Sequence, residues 1–241
     1  MCNLYSITKS QDAIRAFTRA VKDSTGNLAP QPGVFPDYTA PVVRNGADGQ
    51  RELVKLRWGM PTMPFHLLEA TKKRANKLEA KGKSVDFKEL LRMEPDSGVT
   101  NIRNLKLPHW RQWFGIEHRC VVPFTSFSEF NPTTRQDVWF AFDESRPLAF
   151  FAGLHVPRWT SVRKVKEGET TNDLFAFLTT DPNAEVHAEH PKAMPVILRT
   201  PEEVDRWMTA SPDDVPKLQQ KLPDNSLTIV AKGVKEDGAV V

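Results

Sequence analysis

Apolar positions change period several times along the chain, and each change predicts an element. Ala13, Ile14, Phe17 and Val21 recur at helical intervals behind Thr8 and Ser10, either of which can cap a first helix. The stretch 27–41 breaks that rhythm: Pro30, Pro32, Gly33, Pro36 and Pro41 predict an extended, irregular passage. Val54, Leu56 and Trp58 then alternate as in a strand, and residues 65–95 read as charged helix. From Cys120 onward the pattern turns to strands. Residues 127–130 and 138–142 flank the polar turn Asn131-Pro132-Thr133-Thr134 and predict a hairpin. Short apolar runs at 148–155, 174–180, 194–198 and 227–231 add further strands. Thr200-Pro201-Glu202-Glu203 has the form of a capping box opening a helix through Trp207 and Met208. With no repeat and no long linker, the expectation is one domain over 1–241. Its class is α+β, with a mainly antiparallel, barrel-like sheet and peripheral helices.

Composition narrows the class. The 241 residues are 39% hydrophobic, enough for a sizeable core. No run approaches the roughly 18 apolar residues of a membrane span, and the first residues lack the charge and apolar pattern of a secretory signal. A cytoplasmic monomer with no membrane partner is expected. Two cysteines, Cys2 and Cys120, exclude a disulfide framework and are too few for a thiolate metal cluster. No metal and no cofactor are expected. Net charge is +3, but residues 1–120 carry 20 Lys/Arg against 12 Asp/Glu and residues 121–241 carry 13 against 18. That asymmetry suits a polyanion such as nucleic acid, although Lys72-Lys73-Arg74 also fits a solvated helix face.

Candidate chemistry centres on Cys2. Once Met1 is removed, the chain begins with an amine and a thiol on adjacent carbons. Their reference pKa values, about 7.7–8.0 and about 8.5, leave both available near neutrality. An aldehyde would condense with the amine to an imine, and the thiol would close a five-membered thiazolidine. Glu129, in Ser126-Phe127-Ser128-Glu129-Phe130, sits between aromatics where burial would raise its pKa toward an acid/base range. Period-two alternation equally allows it to face solvent. His190 lies on a loop entering an apolar strand, with His187 its competitor. Asn101 and Arg103 alternate along an extended segment, an amide and a guanidinium on one face, suited to a sugar and a phosphate or to an ordinary polar edge.

In order and spacing these pieces resemble the SOS response-associated peptidase (SRAP) family over essentially the whole chain. The resemblance rests on Met1-Cys2, Tyr38-Thr39-Ala40-Pro41, Arg57-Trp58-Gly59-Met60-Pro61, Asn101-Ile102-Arg103, residues 119–123 followed by 127–130, and His190 through Pro195. It implies a sensor of abasic sites in single-stranded DNA, whose ring-opened sugar aldehyde Cys2 captures as a covalent thiazolidine crosslink. AP-lyase, crosslink-reversal and autoproteolytic activities are implied with it. By resemblance, Glu129 relays protons, His190 assists imine formation and strand cleavage, and Asn101 holds the sugar or the N-terminal loop. Arg103 would bind the flanking phosphate, and Pro41, Trp58 and Phe130 would lie along the DNA channel. The chain departs from the family pattern at Asn3-Leu4, where Gly-Arg is usual, at Asn104-Leu105, at Phe130 in place of Trp, and in the spacing from His190 to Met194. Lys106, Arg111 or the lysines of residues 72–83 would restore lost positive charge. Two other readings fit parts of this pattern: an N-terminal nucleophile hydrolase of the amidotransferase kind, and a single-strand DNA-binding module in which Cys2 is idle.

Overall fold

Strands rich in aromatic and β-branched residues must cover two faces, and here most of them do so by closing on one another. The computed structural model describes residues 2–238. Its strands are β1 (Leu4–Ile7), β2 (Lys22–Asp23), β3 (Gln31–Val34), β4 (Thr39–Asn45), β5 (Arg51–Trp58), β6 (Asn101–Ile102), β7 (Arg119–Phe124), β8 (Ser126–Asn131), β9 (Gln136–Ala141), β10 (Ala149–Val162), β11 (Glu169–Thr180), β12 (Met194–Pro195), β13 (Ile197–Leu198) and β14 (Thr228–Lys232). Its α-helices are α1 (Gln11–Thr18), α2 (Pro64–Glu79), α3 (Phe87–Arg92), α4 (Pro108–Arg111), α5 (Ala184–Glu189), α6 (Pro201–Thr209) and α7 (Val215–Leu218). None of these helices is long and apolar enough to cross a membrane.

Strands β5, β4, β7, β10 and β11 pair in that order, and β11 pairs back onto β5, closing a five-stranded barrel. An odd-membered ring cannot alternate direction all the way round. One seam must be parallel, and it is β5–β11, with Leu174 opposite Arg57 and Phe175 opposite Trp58. A second, five-stranded sheet runs β14-β9-β8-β1-β3. It joins the barrel where Thr125 separates β7 from β8, and the Thr125 amide donates to the Ser6 carbonyl of β1 at 2.7 Å. The class is α+β with mainly antiparallel pairing. Between the two sheets, Phe151 stacks on Phe124 (centroids 4.0 Å) and contacts Phe177 (4.5 Å), while Tyr5 meets Trp58 edge-on at 5.2 Å. Such pairs add about 0.5–1.5 kcal/mol each beyond burial.

The chain's last described turns lock this second sheet. Asp237 is buried, and its carboxylate accepts from Arg146 Nε (2.8 Å), Arg146 Nη2 (2.9 Å) and the Ser126 hydroxyl. Its carbonyl accepts from Ser6 Oγ at 2.9 Å, and its amide donates to Pro32 O at 2.8 Å. One residue thus ties β1, β8 and the strand β3 together.

Several sequence expectations need adjustment. Ser10 caps α1, accepting from the Ala13 amide at 3.3 Å, but the helix ends at Arg19 in the left-handed region, so Val21 lies outside it and is 62% exposed. The proline-rich passage is not wholly irregular: Pro32 lies in β3 and Pro41 in β4, because only some ladder positions need an N–H donor. Strands β10 and β11 run beyond their apolar text. Their outer halves project from the barrel past a register shift between Val156 and Trp159, where burial no longer demands apolar residues. The run 194–198 divides into β12 on β11 and β13 on β10. The Thr200 capping box is formed as expected.

Candidate functional site

Strand β1 pairs with β8 in the register Leu4 opposite Ser128, which brings Cys2, just upstream, beside the part of β8 that carries Glu129. Alternation on β8 runs against ordinary polarity. Glu129 shares the inward face with Phe127 and is 1% exposed, whereas Phe130 points outward and is 46% exposed. His190 ends α5, a helix held by Asn183, whose side chain accepts from the Val186 amide at 3.3 Å. From there His190 Nε2 lies 3.5 Å from Glu129 Oε2, and His190 Nδ1 lies 3.0 Å from the Phe130 carbonyl. A carbonyl only accepts, so Nδ1 carries the hydrogen and the unprotonated Nε2 of the neutral ring faces Glu129.

Burial sets the charge states. It pushes the Glu129 carboxyl up to about 8 and the His190 imidazole down. The Cys2 thiol is driven well above its ordinary range, first by burial and then by the neighbouring Glu129 charge. Near neutral pH the trio is therefore largely uncharged. With its pKa raised to about 8, the Glu129 carboxyl can both donate and accept a proton there. Cys120 is likewise raised by burial, but it packs against Gly153 inside the barrel wall, as an inert core thiol does.

Asn101 fixes the backbone of Cys2. Strand β6 pairs in parallel with β11, Asn101 opposite Phe177, and the Trp58 indole donates to the Thr100 carbonyl at 3.0 Å. Asn101 Nδ2 then donates to the Cys2 carbonyl at 2.8 Å and reaches Thr100 Oγ1 (2.8 Å) and Asn3 Oδ1 (3.3 Å). Thr100 Oγ1 donates to the same Asn3 oxygen at 3.0 Å. Asn3, a departure from the family pattern, thus serves as a latch on the N-terminal loop. Two buried hydroxyls, those of Tyr5 and Thr179, are not singled out in the sequence. The Tyr5 hydroxyl and Thr179 Oγ1 are buried without hydrogen-bond partners among the described residues, as are Asn101 Oδ1 and Ser128 Oγ. Burial pushes the Tyr5 hydroxyl's pKa well up, and a charge on Cys2 would push it further. No local signal marks either residue, since both read as ordinary strand positions.

The surroundings separate the remaining candidates. A cleft of about 280 Å³ is lined by Asn3, Leu4, Phe35, Pro36, Ser128 and Phe130. A larger one of about 740 Å³ gathers Arg103, Lys106 and Arg111 around Asp181, which pairs with Arg103. Asn101 and Arg103 therefore serve different places, the Cys2 backbone and this basic cleft. Pro41 and Trp58 differ from expectation: both are buried, Trp58 fully, against Tyr5, Phe175 and Phe177. They support the site from within the barrel wall and offer no open face. His187 is exposed on α5, and it is His190 that reaches Glu129. Removal of Met1 concerns a residue outside those described. Among the described residues, no group of three or more His, Cys, Asp or Glu is arranged to hold a metal ion.

No curated protein sequence matches the chain. Three crystal structures share its fold. A Bordetella bronchiseptica protein is 20% identical, with 96% of this chain and 98% of that one covered and a TM-score of 0.61. A Bacteroides thetaiotaomicron protein is 19% identical, with 94% and 90% covered and a TM-score of 0.63. A phage-related protein from Bordetella bronchiseptica is 16% identical, with 94% and 92% covered and a TM-score of 0.60. A model of one family, described as SOS response associated peptidase (SRAP), matches residues 1–236, so the chain belongs to that family and with it to the proteins associated with the SOS response to DNA damage.

Proposed function

We propose that the protein captures abasic sites in single-stranded DNA as a covalent thiazolidine on Cys2. The observation that carries this reading is the burial of Cys2 beside the Glu129–His190 pair while Asn101 holds its carbonyl. After Met1 is removed, the α-amine is the stronger nucleophile, because the buried thiol keeps its proton at neutral pH. The amine nitrogen attacks the aldehyde carbon of the opened sugar. Glu129, protonated below about 8, gives a proton to the departing hydroxyl, and water leaves as the imine forms. The thiol sulfur then adds to the imine carbon. Its proton passes to the Glu129 carboxylate, and the imine nitrogen takes back from His190 Nε2 the second proton that the amine gave up as the imine formed, which completes the ring. His190 Nε2 holds the shared proton between steps.

Run backwards, the same transfers release the crosslink. The reading extends to β-elimination of the 3′ phosphate from the imine and to hydrolytic release of Met1, in line with the family's description as a peptidase. The DNA would lie across the Phe35–Phe130 cleft, where an exposed ring can stack on a base, with its phosphates toward Arg103, Lys106 and Arg111.

The test is denaturing electrophoresis after incubation with uracil-containing single-stranded DNA treated with uracil glycosylase. The processed protein is expected to give a shifted covalent band, and Cys2→Ala none. Absence of the band from wild type, or an equal band from the variant, refutes the reading.

A further inference from the structure

A third cleft, of about 290 Å³, opens between β13, α6 and the segment after α7, and shares no lining residue with the two clefts above. Its floor is apolar, built from Ile197, Leu198, Leu218 and Leu222. Its rim is cationic: Arg199, Arg206, Lys217 and Lys221 are all exposed. The single acid on the wall, Glu203, is turned to the start of α6, where its carboxylate accepts from the Arg199 and Thr200 amides. Lys217 pairs with Asp214 at 2.7 Å. Among the described residues, no carboxylate lies within ion-pair distance of Arg199, Arg206 or Lys221. This cluster stands in the half of the chain that is acidic overall, with 13 Lys/Arg against 18 Asp/Glu. Its positive sign is therefore local to the cleft.

We infer that this cleft docks a short acidic peptide segment of a partner protein, anchored by one large apolar side chain. The volume and floor suit a single leucine or phenylalanine side chain, and the rim suits flanking carboxylates. A nucleic-acid strand would satisfy the cations but not the floor. The Trp207 indole is 1% exposed, donates to the Cys120 carbonyl at 2.8 Å and has Arg119 over its ring, so it offers no face for a base. The Phe142 ring is capped by Arg199 at 4.9 Å. The inference is independent of the abasic-site reading.

Fluorescence anisotropy on the full-length protein tests it. The probe is a fluorescein-labelled acidic peptide of Asp and Glu flanking a central Leu-Phe pair. The expected result is saturable binding, weakened about tenfold or more by the double change Arg206→Glu/Lys221→Glu and by raising salt from about 0.05 M to about 0.5 M. Serine in place of the Leu-Phe pair should abolish it. Both changed side chains are exposed, and an unaltered thermal melt confirms that the variant is folded. The inference is overturned if wild type binds nothing at millimolar peptide, if the reversed variant or a Lys-for-Asp peptide binds equally well, or if unmodified single-stranded DNA displaces the peptide from this cleft.

Discussion

Glu129 owes its high pKa to the inward face of β8, where the Phe127 side reaches the core and water is excluded. Folding raises that pKa from about 4.5 to about 8, so across this window the folded state holds a proton that the unfolded state has lost. Stability supplied by the neutral carboxyl is full below the unfolded value and declines as pH rises through the window. At about 1.4 kcal/mol per unit, the decline reaches a few kcal/mol by pH 8. Glu129→Gln keeps the shape without the titration. Urea denaturation at pH 5 and pH 9 should show wild type losing stability relative to the variant at the higher pH, and parallel behaviour would contradict the burial argument. The same substitution should slow crosslinking by about 10²-fold or more. It should also remove the fall in rate that wild type shows as pH passes about 8, read from rates of band formation.

Among the elements, the end of β5 shows what can and cannot be read from sequence. Trp58-Gly59-Met60-Pro61 stands out as a motif, yet its reason lies far along the chain. Gly59 has φ +133°, and a Cβ there would meet Arg163 Nη2 at 2.5 Å. Arg163, almost fully buried, donates to Gly59 O (3.2 Å), Ser97 O (3.4 Å) and Asp37 Oδ1 (3.0 Å). It thereby pins β5 to the segment that leads into Asn101. Gly59→Ala should cost about 1–3 kcal/mol through strain and collision, seen as a lower Tm, with a lower crosslink yield as Asn101 shifts. An unchanged melt would show that the close approach is not restrictive. The β8–β9 hairpin was legible because its signal is local: Asn131 Oδ1 accepts from the Thr133 and Thr134 amides at 2.8 and 3.0 Å. The orientation of Glu129 was not, since alternation permits either face and the decision comes from Cys2 and His190 arriving from opposite ends of the chain. For the same reason the burial of Trp58, placed along the DNA channel by resemblance, shows only once β11 and β1 are seen to cover it.

At the scale of the whole molecule, Asp237 joins what the fold brings together, one residue beyond the family match. Removing its carboxylate leaves Arg146, a side chain only 13% exposed, without its bidentate partner. Asp237→Ala should destabilise the protein by about 3 kcal/mol. It should also slow crosslinking by loosening β1 against β8, while the alkaline limb of the rate profile stays near pH 8 because Glu129 keeps its environment. Denaturation curves and pH–rate profiles test the two halves of that statement. The parallel seam of the barrel has a consequence in time. Strands β5 and β11 come from distant parts of the chain, and pairings of such long sequence separation form late and slowly in folding. Trp58, Gly59 and Asn101 all meet β11 along or beside that seam. On the proposed function, a chain whose seam is still open carries its N-terminal aminothiol without the Asn101 contact that positions it. Aldehyde capture, on that same proposal, waits on closure of the ring, and a chain whose β5–β11 seam is still open is expected to give no crosslink.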